Sequence, residues 1–498
     1  MQYTVSIALL LFSLFCQAQS YTLKESDVTE NDCRHMYYRL ESGRFADLRF
    51  AYYGRNEPVT LRVYDKSMKQ ISSGSVGEVE DKVFETGLSD RRQLLLGFTD
   101  DKKNVYAYAV NPADGRTKRI EQLAADGAKE AMVRTGFSPD STRLFFIARL
   151  QQKKGVVYKG LILDKQFQIT NHISVIADET DGTVEKISYV LSNDGTFSIV
   201  TTVGHAAKEP YTPLVYTVTQ VSSAGKVSLG KLTGIPPGLF DKVVWQATGN
   251  ELSFAGFLGT DRKSGFTSVV SGVYREQQPV AGLKIHALLE PIPYSAGLLT
   301  GHRGVNNLLT IILLEGTREY TSITGDWELP MSKYAAAAIA PEVPAPSSSN
   351  TLYYGNRTAH IVRFKTDDSV DWVRSIQKNQ AETFRIIYTG LVPLFTANGG
   401  IQLFFQDARD NKQVAGTQHT RALLPGRKTE GLACVTISAD GTLVKKEFLD
   451  TFIENDPSDF FFSPVGAFSD GTTKIIYTSY DYRNAGKSVY RVGSITTP

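Results

Sequence analysis

Short turn sequences recur along this chain at a nearly constant interval, and that interval constrains the fold more than any other feature. The turns combine Pro, Asn, Asp, Ser and Gly, residues that preset φ, accept a positive φ or bind the turn backbone through a side-chain oxygen. From Asp90 to Gly304 successive turns lie about 50 to 55 residues apart, and the next, at Gly400, lies close to two intervals further on. A longer gap leads to Gly471, which indicates an insertion. A unit of this length holding several strands is typical of a β-propeller or a similar array.

Each repeating unit contains four short strand sequences. Apolar and β-branched runs follow the turns, most clearly at residues 144–148, 197–201, 401–405 and 474–478. A second series of tight turns lies between the members of the first, at residues 112–115, 223–225 and 438–441. The sequence therefore predicts an all-β protein, a β-propeller of four-stranded antiparallel blades. Dividing roughly 480 mature residues by a unit of about 55 gives eight blades, with seven as the alternative.

Several of these segments resemble known propeller repeats. Residues 137–146, Phe-Ser-Pro-Asp-Ser-Thr-Arg-Leu-Phe-Phe, resemble the F-S-P-D-G-x-x-L-x-F element of WD40-like, TolB-like repeats, and residues 191–195 and 468–471 resemble parts of it. Residues 361–372 resemble the V-x-L-x-x-x-G-x-x-x-W hairpin of other secreted propeller repeats, without its glycine. The resemblance implies a secreted bacterial propeller. It implies no activity, because propellers carry many unrelated functions.

The N-terminal sequence has the features of a secretory signal peptide. The first 18 residues contain no Lys, Arg, Asp or Glu, and an apolar run from Val5 to Phe15 precedes the small residue Ala18. Cys16 also allows lipoprotein processing, against which the bulky Phe15 argues. The run is too short to span a bilayer, so the mature chain is expected to lack a transmembrane segment and to be periplasmic or extracellular.

The predicted domains are a signal peptide at 1–18 and a single β-propeller at 19–498. Residues 335–349, rich in Ala, Pro and Ser, contain three prolines that exclude a regular helix or a central strand. This segment is predicted to be an extended connector. Because repeat-like spacing continues on both sides, we place it within one ring rather than between two domains.

Two cysteines remain in the mature chain after the signal peptide, Cys33 and Cys434. Export to an oxidising compartment allows a disulfide to persist. The two residues lie near opposite ends of the mature chain, so a disulfide between them would link the two ends of a closed ring. The alternative is two separate buried thiols.

The long connections are predicted to lie on one face of the propeller. In a four-stranded blade the first and third connections share one end and the second lies at the other. Here the second connections are the longer and more charged ones, predicted at residues 151–155, 205–211, 259–265, 406–431 and 480–487. Binding residues concentrate on loops held by a rigid scaffold. The candidate binding residues in these connections are Lys153, Lys154, His205, Lys208, Arg262, Lys263, Arg409, Lys412, Arg421, Tyr482 and Arg483. A locally basic face would concentrate an anionic partner; the alternative is that these side chains only keep the loops solvated.

Catalytic motifs are missing from the sequence. H-E-x-x-H, C-x-x-C, G-x-S-x-G, P-loop and Rossmann patterns do not occur, so no catalytic residue, metal site or cofactor is predicted. The turn carboxylates Asp140, Asp194 and Asp470 are interpreted as structural. Trp245 precedes a turn and is interpreted as packing between strands rather than as a sugar-stacking residue.

The charge balance bears on the class of partner. Lys and Arg number 54 and Asp and Glu number 52, a net charge of +2, which argues against a dedicated nucleic-acid binder. We expect an exported binding or scaffolding protein whose partner is a protein, an anionic glycan or an envelope component. The alternatives are a secreted propeller enzyme acting on polysaccharide, as a hydrolase or lyase, and a structural component of an envelope assembly.

Overall fold

The structure is a computed structural model in which every regular element among the described residues is a β-strand. It describes residues 22–25, 29–30, 33–40, 44–51, 59–76, 83–87, 94–99, 102–111, 116–153, 155–177, 184–203, 215–235, 239–249, 251–260, 264–275, 278–280, 282–294, 299–303, 308–322, 350–382, 391–408, 411, 430–449, 460–469, 473–481 and 489–497. The predicted signal peptide at 1–18 and connector at 335–349 lie outside these residues.

The described strands form eight antiparallel sheets of four or five strands, arranged as a β-propeller. This confirms the predicted all-β propeller of four-stranded antiparallel blades. Seven sheets are built from consecutive strands and are numbered 1 to 7 in chain order. The remaining sheet, called the closing sheet, joins the first two described strands to the last three.

The first two strands are β1 (Thr22–Glu25) and β2 (Thr29–Glu30). Sheet 1 contains β3 (Cys33–Arg39), β4 (Phe45–Ala51), β5 (Thr60–Tyr64) and β6 (Gln70–Ser75). Sheet 2 contains β7 (Val83–Gly87), β8 (Leu94–Thr99), β9 (Val105–Val110) and β10 (Thr117–Leu123). Sheet 3 contains β11 (Glu130–Phe137), β12 (Arg143–Gln152), β13 (Gly155–Asp164) and β14 (Ile169–Ala177). Sheet 4 contains β15 (Val184–Leu191), β16 (Phe197–Val203), β17 (Val215–Val221) and β18 (Val227–Lys231).

Sheet 5 has five strands, β19 (Leu239–Thr248), β20 (Glu251–Gly259), β21 (Phe266–Arg275), β22 (Gln278–Pro279) and β23 (Lys284–Ile292). Sheet 6 contains β24 (Leu299–Arg303), β25 (Leu309–Ser322), β26 (Asn350–Phe364) and β27 (Val370–Glu382). Sheet 7 contains β28 (Val392–Phe395), β29 (Ile401–Ala408), β30 (Glu430–Ile437) and β31 (Leu443–Phe448). The closing sheet combines β32 (Phe460–Ser469), β33 (Thr473–Asp481) and β34 (Val489–Thr497) with β1 and β2.

The first strands of sheets 2 to 6 lie innermost and contact one another in sequence. Strand β11 contacts both β7 and β15, and β19 contacts both β15 and β24, so consecutive sheets meet along their first strands. Strand β28 contacts β32 in the same way. In the closing sheet β1 pairs with β34 in a register that places Thr22 opposite Thr496. Main-chain hydrogen bonds between the two ends of the described chain therefore complete this sheet.

The apolar core lies between the sheets. Six buried clusters each join two consecutive sheets, from sheets 1 and 2 through to sheets 6 and 7. Strand β12 shows how this arises: Phe146 packs toward sheet 2, whereas its neighbour Phe145 packs toward sheet 4. Successive side chains of a strand point to opposite faces. Because both faces are covered, the strand reads as a continuous apolar run rather than an alternating one.

The connections divide between two ends of the propeller. The first and third connections of sheet 3, residues 138–142 and 165–168, lie at what we call the tight-turn end. The second connections lie at the opposite, long-loop end, where residues 323–349 join β25 to its partner β26. The segment 335–349 thus connects two paired strands of one sheet.

Candidate functional site

The tight turns are held by side-chain oxygens that bind the turn itself. Asp140 Oδ1 accepts hydrogen bonds from Ser138 Oγ at 2.7 Å and from the Thr142 amide at 2.9 Å. Asp194 accepts from the Thr196 amide at 2.9 Å and from the Ser192 hydroxyl. The structural interpretation of both carboxylates is therefore confirmed, whereas Asp470 lies outside the described residues.

These hydrogen bonds set the protonation state of the turn carboxylates. Partial burial raises the pKa of Asp140, but the hydrogen bonds from Ser138 and Thr142 outweigh it and leave the pKa below its usual value. In a similar turn of sheet 7, between its third and fourth strands, hydrogen bonds from Ser438 and Thr442 lower the pKa of Asp440 to about 2. Both carboxylates are ionised at neutral pH, and their oxygens accept hydrogen bonds from backbone amides of the turn.

The turns also fasten neighbouring sheets to each other. Arg143 Nε of sheet 3 donates to the Asn193 carbonyl of sheet 4 at 3.0 Å, and the Asp140 amide donates to Asn193 Oδ1 at 3.1 Å. Asn171 Nδ2 donates to the Ser222 carbonyl at 3.3 Å. These hydrogen bonds thus join sheets 3 and 4 at the tight-turn end.

Sheets 6 and 7 are joined in the same way by three long side chains. Arg363 is buried and its Nη1 donates to the carbonyls of Gly399 and Ala439. Trp372 Nε1 donates to the Ala439 carbonyl at 3.2 Å, and Arg374 Nε donates to a carbonyl of the same turn. Backbone carbonyls in these turns therefore obtain partners from the adjacent sheet.

A cavity of about 370 Å³ interrupts this packing at the tight-turn end. It lies where the first strands of sheets 3, 4 and 5 finish, and residues 135–137 of β11, 189–191 of β15 and 245–247 of β19 line it together with Pro139 and Phe145. Its volume falls at the lower end of the range for small-molecule sites, roughly 300 to 1,000 Å³.

Four aromatic residues, Phe137, Phe145, Tyr189 and Trp245, are among those that line this cavity. Tyr189 lies with its ring centroid 6.3 Å from that of Phe145, and Trp245 packs at 5.1 Å from Phe254 and 5.7 Å from Tyr216. Trp245 is only 7% exposed, so its interpretation as packing between strands is confirmed. Trp245 lines the cavity and also belongs to the core between sheets 4 and 5.

Gln246 of β19 is also among the residues that line this cavity. Trp245 and Ala247 belong to the core shared with sheet 4, and successive side chains of a strand point to opposite faces, so the Gln246 side chain lies on the face toward sheet 6. Its Oε1 is buried and accepts no hydrogen bond among the described residues. The sequence did not point to Gln246, because a single glutamine at a strand position carries no recognisable pattern.

The long-loop end carries the residues predicted to bind a partner. Lys153 is exposed in the connection between β12 and β13. The other predicted binding residues lie outside the described residues, and they are Lys154, His205, Lys208, Arg262, Lys263, Arg409, Lys412, Arg421, Tyr482 and Arg483. The binding role of this set stays a prediction.

Two predicted loop boundaries at this end are wrong. Gln152 pairs directly with Gly155, so the connection predicted at 151–155 is a short hairpin carrying Lys153 and Lys154 rather than a long loop. The connection predicted to begin at Gln406 begins after Ala408, because β29 continues further than expected. In both places the strands extend toward the long-loop end because they remain paired with their neighbours.

Asp407 is therefore a buried strand residue and not a solvated loop acid. Its side chain forms an ion pair with Lys446 of β31, with Nζ 2.5 Å from Oδ2, and both side chains are almost wholly buried. Asn411 Nδ2 donates to Asp407 Oδ1 at 2.7 Å. Burial of a charge requires such pairing and hydrogen bonding.

Lys378 of β27 lies beside this pair and is buried at 1% exposure. Its Nζ lies 5.8 Å from the centroid of the Phe405 ring, and Lys446 Nζ lies 5.6 Å from the same centroid. Burial lowers the pKa of Lys378 to about 7, against the opposing attraction of Asp407. Two lysines thus share one carboxylate between sheets 6 and 7.

The two cysteines lie on strands of different sheets. Cys434 is buried on β30 of sheet 7, and Cys33 opens β3 of sheet 1. The side chain of Cys33 lies outside what the structure describes, so the disulfide stays a prediction. Within the described ranges no group of three or more His, Cys, Asp or Glu side chains is placed to hold a metal ion. No helix in that part of the chain is long and apolar enough to cross a membrane.

No protein-family model and no curated protein sequence matches this chain. Solved structures that are similar to it include polysaccharide lyase Uly1, at 9% identity and a TM-score of 0.37, covering 95% of this chain and 99% of the lyase. The acylaminoacyl peptidase of Pyrococcus horikoshii gives 11% identity and a TM-score of 0.39, covering 91% of this chain and 59% of the peptidase. A prolyl endopeptidase gives 12% identity and a TM-score of 0.35, covering 78% of this chain and 55% of that protein.

The chain therefore spans a little over half the length of these two peptidases. The propeller assignment rests on the sheets of the chain itself. The WD40-like, TolB-like repeat type stays a prediction from residues 137–146.

Proposed function

We propose that this protein is an exported β-propeller that binds or scaffolds an anionic partner at its long-loop end. The supporting observation is the unequal use of the two ends. At the tight-turn end the connections are occupied by hydrogen bonds within turns and between neighbouring sheets, as with Arg143 and Asn193. The long-loop end carries the longer second connections. Loops on a rigid scaffold are the usual location of binding residues.

The charge of the long connections indicates the class of partner. The long connections hold the clustered basic residues of a chain whose net charge is only +2. Uneven distribution of that kind attracts an anionic glycan, envelope component or acidic protein surface through long-range electrostatics, and such attraction weakens with salt.

The test replaces four long-connection residues, Arg262, Lys263, Arg409 and Lys412, with Ser. The matched control replaces four exposed lysines in tight turns, Lys69, Lys165, Lys226 and Lys365, which removes the same charge from the other end. Binding to immobilised heparin and to polygalacturonate is measured against salt concentration. We expect the first variant to bind at least about tenfold more weakly and with a shallower salt dependence, and the control to behave like wild type. Equal losses in both variants, or salt-insensitive binding, would refute the proposal.

A further inference from the structure

Strand β25 of sheet 6 runs well beyond the first strand of its sheet. β24 pairs with it only from Leu309 to Leu313, whereas β25 continues to Ser322. In sheets 3, 4 and 5 the first strand pairs with the second to within one residue of its end. One edge of β25, from Glu315 to Ser322, therefore has no strand partner among the described residues. We call this segment the open edge.

The other edge of β25 is paired over the same length. β26 pairs with it as far as Ser322, which lies opposite Asn350. The one irregularity falls between Leu314 and Gly316, and the additional residue there belongs to β26, so β25 itself keeps a regular alternation. At about 3.4 Å per residue the open edge is about 27 Å long, which is enough to pair with a strand of about eight residues.

An open strand edge presents a row of main-chain N–H and C=O groups that can pair with another strand. Natural proteins protect such edges with proline, lysine, a bulge or a short strand. The open edge contains neither proline nor lysine, and the bulge beside it belongs to β26. Thr317, Tyr320 and Thr321 favour a strand conformation. The open edge is thus suited to accept an extended segment of chain.

The charged residues of the open edge define which segment pairs with it. Alternate residues of a strand share a face, so Glu315 and Glu319 lie on one face of β25 and Arg318 lies on the other. Opposite charges directly across an antiparallel pair are favourable, and like charges are unfavourable. A complementary strand therefore has basic residues opposite Glu315 and Glu319, four positions apart, and an acidic residue opposite Arg318.

A second copy of this chain is a poor occupant of the open edge. Two identical antiparallel strands related by a twofold axis pair residues of the same face. The two longest arrangements of this kind use residues 315–321 or 316–322, and they place Arg318 or Glu319 opposite its own copy. Either arrangement brings like charges together at its centre, which is unfavourable. The occupant that fits is a different chain.

We propose that the open edge binds an extended segment of a partner protein as an added antiparallel strand. This segment carries two basic residues four positions apart, with an acidic residue directly after the first of them. Main-chain hydrogen bonds supply the affinity, and the three charged positions supply the specificity. Because the segment is basic, this surface is distinct from the basic loop residues to which we assign an anionic partner.

The first test measures binding of the peptide Thr-Val-Tyr-Lys-Glu-Val-Thr-Lys to the whole protein by calorimetry. The control peptide, Thr-Val-Tyr-Glu-Lys-Val-Thr-Lys, has the same composition but places Glu opposite Glu319 and Lys opposite Arg318. We expect the first peptide to bind at least about fivefold more tightly than the control. Absence of binding at about 1 mM peptide, or equal affinity of the two peptides, would overturn the proposal.

Main-chain pairing is tested with two N-methylated forms of the first peptide. In an antiparallel pair, alternate residues direct their N–H groups to the partner strand and the others direct them away. Methylating the N–H groups of one alternate set should abolish binding, whereas methylating the other set should leave most of it. Equal losses with both forms would show that the peptide does not bind as a strand, which the proposal requires.

A charge-reversed variant then assigns the site. Glu319→Lys should reverse the preference, so that the control peptide binds more tightly than the first peptide. Glu290→Lys is the matched variant, because Glu290 is an exposed acidic residue of β23 in sheet 5, and it should keep the wild-type preference. The same preference in both variants would overturn the assignment. So would a dimer of the wild-type protein that Glu319→Lys abolishes, since the open edge would then bind a second copy.

Discussion

Three ionisable side chains are buried at the interface of sheets 6 and 7, and removing such groups from water costs free energy. Asp407 and Lys446 compensate each other as an ion pair, while Lys378 is buried beside them. Removing water from a lysine favours its neutral form, which is why its pKa falls to about 7. Lys378 is thus the residue of this group whose charge changes with pH near neutrality.

This residue should make stability depend on pH in a defined direction. In the unfolded chain a lysine keeps its proton to about pH 10.4, but folded Lys378 releases it near pH 7. Between these values the unfolded state binds more protons, so the free energy of unfolding rises with pH, by at most about 1.4 kcal/mol per pH unit. We expect Lys378→Met to be more stable than wild type at pH 7 and the difference to shrink toward pH 10, as measured by urea unfolding.

The control for this prediction is Lys446→Met. That change leaves Asp407 without its ion-pair partner and should cost about 3 to 5 kcal/mol. A difference between Lys378→Met and wild type that stays constant across this pH range would contradict the assigned pKa.

At the scale of elements, a tight turn stabilises its own backbone and also accepts hydrogen bonds from side chains of the neighbouring sheet. The turn that ends at Gly441 binds its own backbone through Asp440 and receives Trp372 and Arg374 from sheet 6. Gly441 has a φ of 82°, and a Cβ there would lie 2.7 Å from Trp372 Cγ. Gly195, in a similar turn of sheet 4, has a φ of 92°, but a Cβ there would meet no atom closer than Arg143 Nη1 at 3.5 Å.

Substituting these two glycines separates backbone strain from packing between sheets. Gly195→Ala should lower the free energy of unfolding by about 1 to 2 kcal/mol, the cost of a left-handed residue with a Cβ. Gly441→Ala should cost more, because the new methyl group also displaces the Trp372 ring. Chemical unfolding of both variants checks this, and equal costs would show that the turn of sheet 7 does not constrain sheet 6.

At the scale of the whole molecule, closure of the ring depends on pairing between distant parts of the chain. Strand β1 pairs with β34 from Thr22 opposite Thr496 to Glu25 opposite Gly493, and β2 pairs with the same strand. Deleting residues 22–30 should lower the thermal unfolding midpoint and expose the edge of β34, which favours aggregation. A synthetic peptide of residues 22–30 should restore the midpoint and a scrambled peptide should not. An unchanged midpoint after deletion would mean that β34 needs no partner.

The repeat spacing predicted this architecture because its signals are local. A turn such as residues 192–196 needs Ser, Asp and Gly at fixed positions whatever the rest of the chain does, so its periodic return marks the blades. Trp245 was interpreted as packing for the same reason: its position within a strand is set locally. The signal peptide at 1–18 and the basic binding residues are likewise predictions that the sequence alone supports.

The sequence by itself determined the all-β fold and the tight turns, whereas β12 and β29 extend further toward the long-loop end than it predicted. Only the tertiary structure decided which side chains meet between neighbouring sheets. Lys378, Asp407 and Lys446 lie on three strands of two sheets, and the cavity at Gln246 combines the ends of three more. Such contacts depend on how sheets stack around the ring, and the lateral packing of elements far apart in sequence leaves no periodic trace in the chain.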